Sequence, residues 1–173
     1  MRTVFRSHLE VCEVFGSLWG DERWSREGRA GNIYFRNGKL YSYGSHFGIA
    51  QYVENSNGQV AVLFTERGYS ASTAKHKSIA RRCLDDVIYV PSLETTHHHE
   101  QWHRDLTNLV ARYNHARSRK PEHLSHFVDT VRNIRKYYSF TGETIPESLE
   151  QVIAVGRLAM EINLPLSDLL GHI

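Results

Sequence analysis

The dipeptide Asn37-Gly38 divides "NIYFRNGKLYSYG" into two short runs rich in aromatic and aliphatic residues. Both residues accept a positive φ, so the pair favours a type I′ turn and commits its flanks to an antiparallel hairpin. Residues 33–36 and 39–43 are the predicted strands. The following stretch, "GIAQYVENSNGQVAVLFTER", repeats the pattern, with Ile49 to Val53 and Gln59 to Thr65 joined by a turn around Asn57-Gly58. Two hairpins supply four strands of a small, mostly antiparallel sheet. Upstream, residues 3–15 space Val4, Leu9, Val11, Cys12, Val14 and Phe15 in a loose helical pattern. Ser7 is a candidate N-cap for that helix and Gly16 a stop. Residues 20–31 predict a polar loop pinned by Trp24.

The chemistry is densest just after the second hairpin. "RGYSASTAKHKSIARR", residues 67–82, holds Arg67, Lys75, Lys77, Arg81, Arg82 and four hydroxyls besides Tyr69, with no acid. Ser72 or Thr73 can cap a helix from about Ala74 to Leu84. On that helix His76, Ile79, Ala80 and Cys83 share one face, so His76 points inward. Lys75, Ser78 and Arg82 form another face, flanked by Lys77 and Arg81, and point outward. A helix start offers free N–H groups and a partial positive charge. With Ser70, Ser72 and Thr73 crowded there beside Lys75 and Lys77, it suits an anion, most simply phosphate. Ordinary capping below a solvated basic face is the plainer alternative. Tyr34, Tyr41, Tyr43 and Tyr69 lie on or beside the sheet, where exposed ones can stack bases.

"DDVIYVP" predicts a last short strand ended by Pro91. From residue 95 the period is helical. Trp102, Leu106, Leu109, Val110 and Tyr113 form one stripe and Leu124, Phe127, Val128, Val131, Ile134 and Tyr138 the facing one. "SRKP" is the turn, with Pro121 at a first helical position, and so short a loop makes the pair antiparallel. Gly142 closes the pair, Pro146 opens another helix, and residues 164–171 add a final turn or short helix. The predicted fold is therefore α+β: residues 1–92 form a small sheet with packed helices, and residues 93–173 a helical hairpin and C-terminal helix.

Charge and cysteines narrow the partner. The 173 residues carry a net +2, but the basic excess lies in the middle of the chain and residues 141–173 are acidic. A basic middle attracts an anionic partner. Cys12 and Cys83 make no CxxC and sit in apolar helical patterns, as buried free thiols of a reducing cytoplasm do. No signal peptide opens the chain, and no stretch approaches the roughly 20 apolar residues that cross a bilayer. No cofactor motif is present.

Two motifs suggest catalysis. His99-Glu100-Gln101-Trp102-His103 is a formal HExxH, in which two histidines share a helix face over zinc and the glutamate activates water. Eleven histidines in the chain make a chance match easy. Arg104 follows where zinc peptidases carry a neutral residue. In an antiparallel pair turning near residue 119, His103 lies roughly 15 Å or more from Glu122, the downstream candidate ligand, at 1.5 Å per residue. A zinc–ligand bond spans about 2 Å. The other motif pairs His46 or His76, as general base, with Ser45 or Ser70. Neither has an acid at triad spacing or a nucleophile elbow. No catalytic residue is assigned, and the chain leans away from an enzyme.

Residues 28–82 carry a distinctive pattern: Gly31-Asn32, Leu40-Tyr41-Ser42-Tyr43-Gly44, His46-Phe47, Ile49-Ala50, Gly68-Tyr69-Ser70, Ser72-Thr73, Lys75-His76 and Ser78. It resembles an uncharacterised family of small proteins of phages, plasmids and bacterial genomes. The resemblance covers about a third of the chain and implies a mobile-element origin, with no known activity. The expected function is a phage or mobile-element accessory protein acting in the cytoplasm of a bacterial host. It binds DNA or RNA, with phosphate held by Ser70, Ser72, Thr73, Lys75 and Lys77 and with Arg81 and Arg82 adding field. The alternatives are an inhibitor of a host protein complex, in counter-defence, and a metal- or histidine-dependent hydrolase.

Overall fold

A computed structural model describes residues 2–160. The chain divides into two compact units, residues 1–96 and 97–173. The first is α+β. Among its described residues, seven strands form one sheet whose spatial order is the order of the sequence. They are β1 (Arg2–Val4), β2 (Glu27–Ala30), β3 (Ile33–Arg36), β4 (Lys39–Ser42), β5 (Gly48–Glu54), β6 (Val60–Thr65) and β7 (Ile88–Val90). The helices are α1 (His8–Gly16), the short α2 (Glu22–Ser25) and α3 (Ala71–Cys83).

The predicted hairpin is present. Arg36 pairs with Lys39, and Asn37 and Gly38 have φ of 48° and 69°. That is the backbone a type I′ turn needs, and glycine takes it without strain. Trp24 packs over this turn, which ties residues 20–31 to the body. The second hairpin follows suit. Asn55 Oδ1 accepts the N–H groups of Asn57 and Gln59 at 3.0 and 2.9 Å and so closes the β5–β6 loop.

Three sequence expectations need correction. The sheet has seven strands: the four of the two hairpins and the expected last strand, β7, are joined by β1 and β2, which were not expected. Residues 20–31 are not all loop, because α2 and β2 lie within them. β2 turns Gly28 and Ala30 toward the core, positions too small to show apolar alternation. Residues 3–4 belong to β1 rather than to a helix. Ser7 does cap α1, accepting the Glu10 N–H at 3.1 Å.

β1 pairs with β2, and β6 with β7, in parallel; the other neighbours are antiparallel. Parallel neighbours need a crossover, and α1 and α3 provide the two crossovers. Both helices pack on one face of the sheet. Val11, Cys12 and Phe15 of α1 and Ala80 of α3 meet Phe35, Leu40, Ala50 and Phe64 there. Tyr52 donates its hydroxyl to the Phe15 carbonyl at 2.9 Å, so the one polar atom it buries is satisfied. On the other face Tyr34 stacks on Tyr41, centroids 4.9 Å apart, beside a depression of about 240 Å³ lined by Glu27, Tyr34, Phe35 and Arg36.

The second unit is helical: α4 (His98–His115), α5 (Lys120–Thr141) and α6 (Glu147–Ala159). Trp102 at the start of α4 meets Tyr137 and Tyr138 at the end of α5, and Tyr113 at the end of α4 meets Lys120 at the start of α5. The two helices are therefore antiparallel, as the short turn requires. Pro146 caps α6, which reaches α5 through an Arg135–Glu150 ion pair at 3.2 Å. Its Gly156 lies so close to the Phe127 ring that no side chain fits between them. The turn or helix expected over 164–171 lies outside the described residues. No helix among the described residues is long and apolar enough to cross a membrane.

Candidate functional site

Strand direction decides where the chemistry gathers. β1, β2, β4, β6 and β7 all run one way, and β3 and β5 run against them. The carboxyl ends of five strands therefore share one edge of the sheet. α1 leaves β1 there and α3 leaves β6 there, so two helix N-termini open on that edge. The turn at 31–32 and the loop at 43–47 close the same edge. Tyr43 donates its N–H to the Asn32 carbonyl at 2.6 Å, and Ser42 its N–H to the Phe47 carbonyl at 2.9 Å. Tyr43 takes φ of 66°, an unusual backbone for so large a residue, at this edge.

Beneath the edge runs a buried polar chain. Ser42, the last residue of β4, points to the core and is fully buried; Thr73 and His76 of α3 are 2% and 4% exposed. His76 Nδ1 lies 2.7 Å from Ser42 Oγ, and the Ser42 hydroxyl donates to Thr73 Oγ1 at 3.2 Å. Thr73 Oγ1 lies 3.3 Å from Ser70 Oγ, and Ser70 Oγ accepts the Thr73 N–H. Burial holds the His76 pKa below its ordinary value, and the His8 ring adds to the effect. His8, the first residue of α1, meets His76 edge-on with centroids 4.6 Å apart. The Tyr43 ring lies 5.7 Å from His76 on the same edge.

This chain of bonds corrects the expected cap. α3 begins at Ala71, three residues early, and Ser70 rather than Ser72 or Thr73 is its N-cap. Thr73 is drawn inward by Ser42, which leaves Ser70 free to take the extended cap conformation. It also corrects the expected partners of His76, which bonds Ser42 and neither Ser45 nor Ser70. Ser45 and His46 are exposed in the 43–47 loop.

The seven residues expected to hold phosphate divide in two. Ser70, Ser72, Lys75, Arg81 and Arg82 are exposed. Ser70 and Thr73 serve the cap and the buried chain. Lys77 is half-buried rather than outward. It donates to the Arg67 carbonyl at 2.9 Å, and burial lowers its pKa. Arg81 donates to the Leu84 carbonyl at 2.7 Å and to the Tyr89 hydroxyl, closing the far end of α3. Arg82 belongs to that end too, about 15 Å from Ser72 at 1.5 Å per residue. What remains at the helix start is an acid-free first turn with Ser72 and Lys75 exposed.

Aromatic rings flank it. Tyr43 is 45% and Phe47 37% exposed, and Phe47 meets Tyr69 edge-on at 4.9 Å. The Arg67 guanidinium lies over Tyr69 and pairs with Glu94 at 3.8 Å. Of the four tyrosines considered for base stacking, Tyr43 and Tyr69 thus lie at this edge. Tyr34 and Tyr41 lie on the sheet face away from α3.

The remaining candidates are the two cysteines and the histidines of the helical unit. Burial pushes the Cys12 thiol up to about 12 and also raises Cys83, so both stay protonated at neutral pH and are poor nucleophiles. Glu122, in the first turn of α5, is at the opposite end of the helical hairpin from His99. Among the described residues no three His, Cys, Asp or Glu side chains gather as a metal site would need. His98 is 3% exposed, packed between Trp102 and Tyr137.

Sequence reasoning missed His8 and the partnership of Ser42 with His76. A signal existed for Ser42, because a serine two residues after inward Leu40 must also face in. His8 carried none, since its place depends on β1 pairing with β2. Comparison with protein-family models, curated proteins and solved structures returned no significant match.

Proposed function

We propose that this protein binds nucleic acid, as an accessory protein of a phage or other mobile element within a bacterial host. Phosphate sits at the start of α3, on its free N–H groups, the Ser72 hydroxyl and the Lys75 ammonium. Bases stack on Tyr43 and Phe47. One observation carries the reading: an acid-free helix start, with an exposed lysine, flanked by two exposed aromatic rings at one sheet edge. The resemblance of residues 28–82 supports the mobile-element origin, and most of its polar and aromatic residues fall at this edge. Contacts of this kind position a strand without selecting its sequence.

Binding of short single- and double-stranded DNA and RNA at several salt concentrations tests it. Affinity should fall steeply with salt. In Lys75→Glu the log–log slope should be shallower by about 0.7 to 0.9, the value of one phosphate contact. Tyr43→Ala should weaken single strands by about 1–3 kcal/mol and leave the slope alone. No binding by the folded protein would overturn the proposal and leave a host protein complex as the partner to seek.

A further inference from the structure

We propose that this edge also cuts RNA, by moving the phosphodiester bond onto the neighbouring 2′-oxygen. The inference rests on phosphate binding at the start of α3. His76 Nε2 takes the proton of the 2′-hydroxyl, and the 2′-oxygen attacks phosphorus. The bond from phosphorus to the 5′-oxygen breaks, and His8 gives that oxygen a proton. The products are a 2′,3′-cyclic phosphate and a 5′-hydroxyl. One histidine gains a proton and the other loses one, and solvent restores both.

The geometry supplies each part. In the proposed base, Ser42 donates to Thr73 and accepts the proton on His76 Nδ1, the tautomer that this 2.7 Å contact allows. A histidine protonated at Nδ1 keeps its lone pair on Nε2. Nε2 lies across the ring from Ser42 and has no protein hydrogen bond among the described residues. His76 is thereby oriented as a base by a neutral hydroxyl, and burial keeps it neutral. His8 comes from a different helix and meets the His76 ring edge-on at 4.6 Å. Among the described residues, His8 and Tyr43 meet the His76 ring and Ser42 bonds it, with no carboxylate among these contacts. His8, on the neighbouring helix, is the group placed to serve as the acid beside this base. Proton transfer of this kind contributes roughly 10²- to 10⁴-fold.

The test incubates the full chain with an end-labelled oligoribonucleotide, its DNA counterpart and its 2′-O-methyl counterpart, in the presence of a chelator. Only the ribonucleotide should be cut, leaving a cyclic phosphate, while the other two are bound intact. His8→Ala and His76→Gln should each slow cutting about 100-fold or more, with binding of the 2′-O-methyl strand nearly unchanged. Circular dichroism checks their folding. His8 is half-buried, so its variant keeps the test valid if the His76 variant unfolds. Ser42 is a positioning residue, and Ser42→Ala should move the pH profile of cutting as well as lower its height. Three results overturn the proposal: ribonucleotide bound but uncut between pH 5 and 8, cutting that survives both histidine variants, or cutting of the 2′-O-methyl strand. Failure to bind any strand would instead sink the binding proposal, and this one with it.

Discussion

Ser42 shows how much one hydroxyl can hold. It sits at an inward strand position and is the shared partner of Thr73 and His76. Ser42→Ala leaves a buried hydroxyl and a buried ring nitrogen without that partner, at a cost of about 1–3 kcal/mol. A lower urea midpoint with an unchanged slope is the expected result. His98 makes a different single-residue prediction. The unfolded chain protonates it near 6.5, whereas burial in the helical unit, with His97 beside it, lowers its pKa to about 4. The unfolded state therefore binds more protons between those values. Stability is complete above about pH 7, falls as pH drops from 6.5 toward 4 and then levels. The span corresponds to about 3 kcal/mol. Urea unfolding at a series of pH values should trace that fall, and His98→Phe should flatten it.

At the scale of elements, helix ends and close approaches decide the outcome. Ser70→Ala removes the α3 cap and should cost about 1 kcal/mol. Ser70→Asp keeps a cap of equal quality but puts a negative charge where phosphate is proposed to sit. Its stability should match the wild type while its affinity for nucleic acid drops, a contrast that separates capping from binding. In the helical unit, Gly156→Ala drives a methyl into the buried Phe127 ring of α5. Overpacking of that kind costs about 1–3 kcal/mol, readable as a lower thermal midpoint. The hairpin at Asn37-Gly38, the α4–α5 turn and the existence of α3 were legible in the sequence, because each is a local pattern. The start of α3 was not. Ser70, Ser72 and Thr73 are all competent caps, and the choice fell to Ser42, thirty-one residues before Thr73.

Across the whole molecule, the legible part is that which needs no distant partner. Residues 67–82 are rich in donors and cations, and Arg81 and Arg82 are exposed as expected, but Lys77, expected outward, is half-buried and donates to the Arg67 carbonyl. Sequence density could not bring His8 to His76, since that requires the three-residue β1 to take a parallel place beside β2 at one end of the sheet. Periodicity over three residues carries almost no signal. The strand order has a further consequence, for the time at which the protein comes into being. Each strand's neighbour in space is its neighbour in sequence, so a chain leaving the ribosome can add strands one by one, with little loop closure to delay each pairing. The exception is the edge itself: His8 is synthesised early, and its partner on α3 arrives 68 residues later. A nascent chain would own a sheet before it owned that edge, and on the proposed activity it would be inert toward the messenger from which it is being read until the end of α3 has emerged and docked.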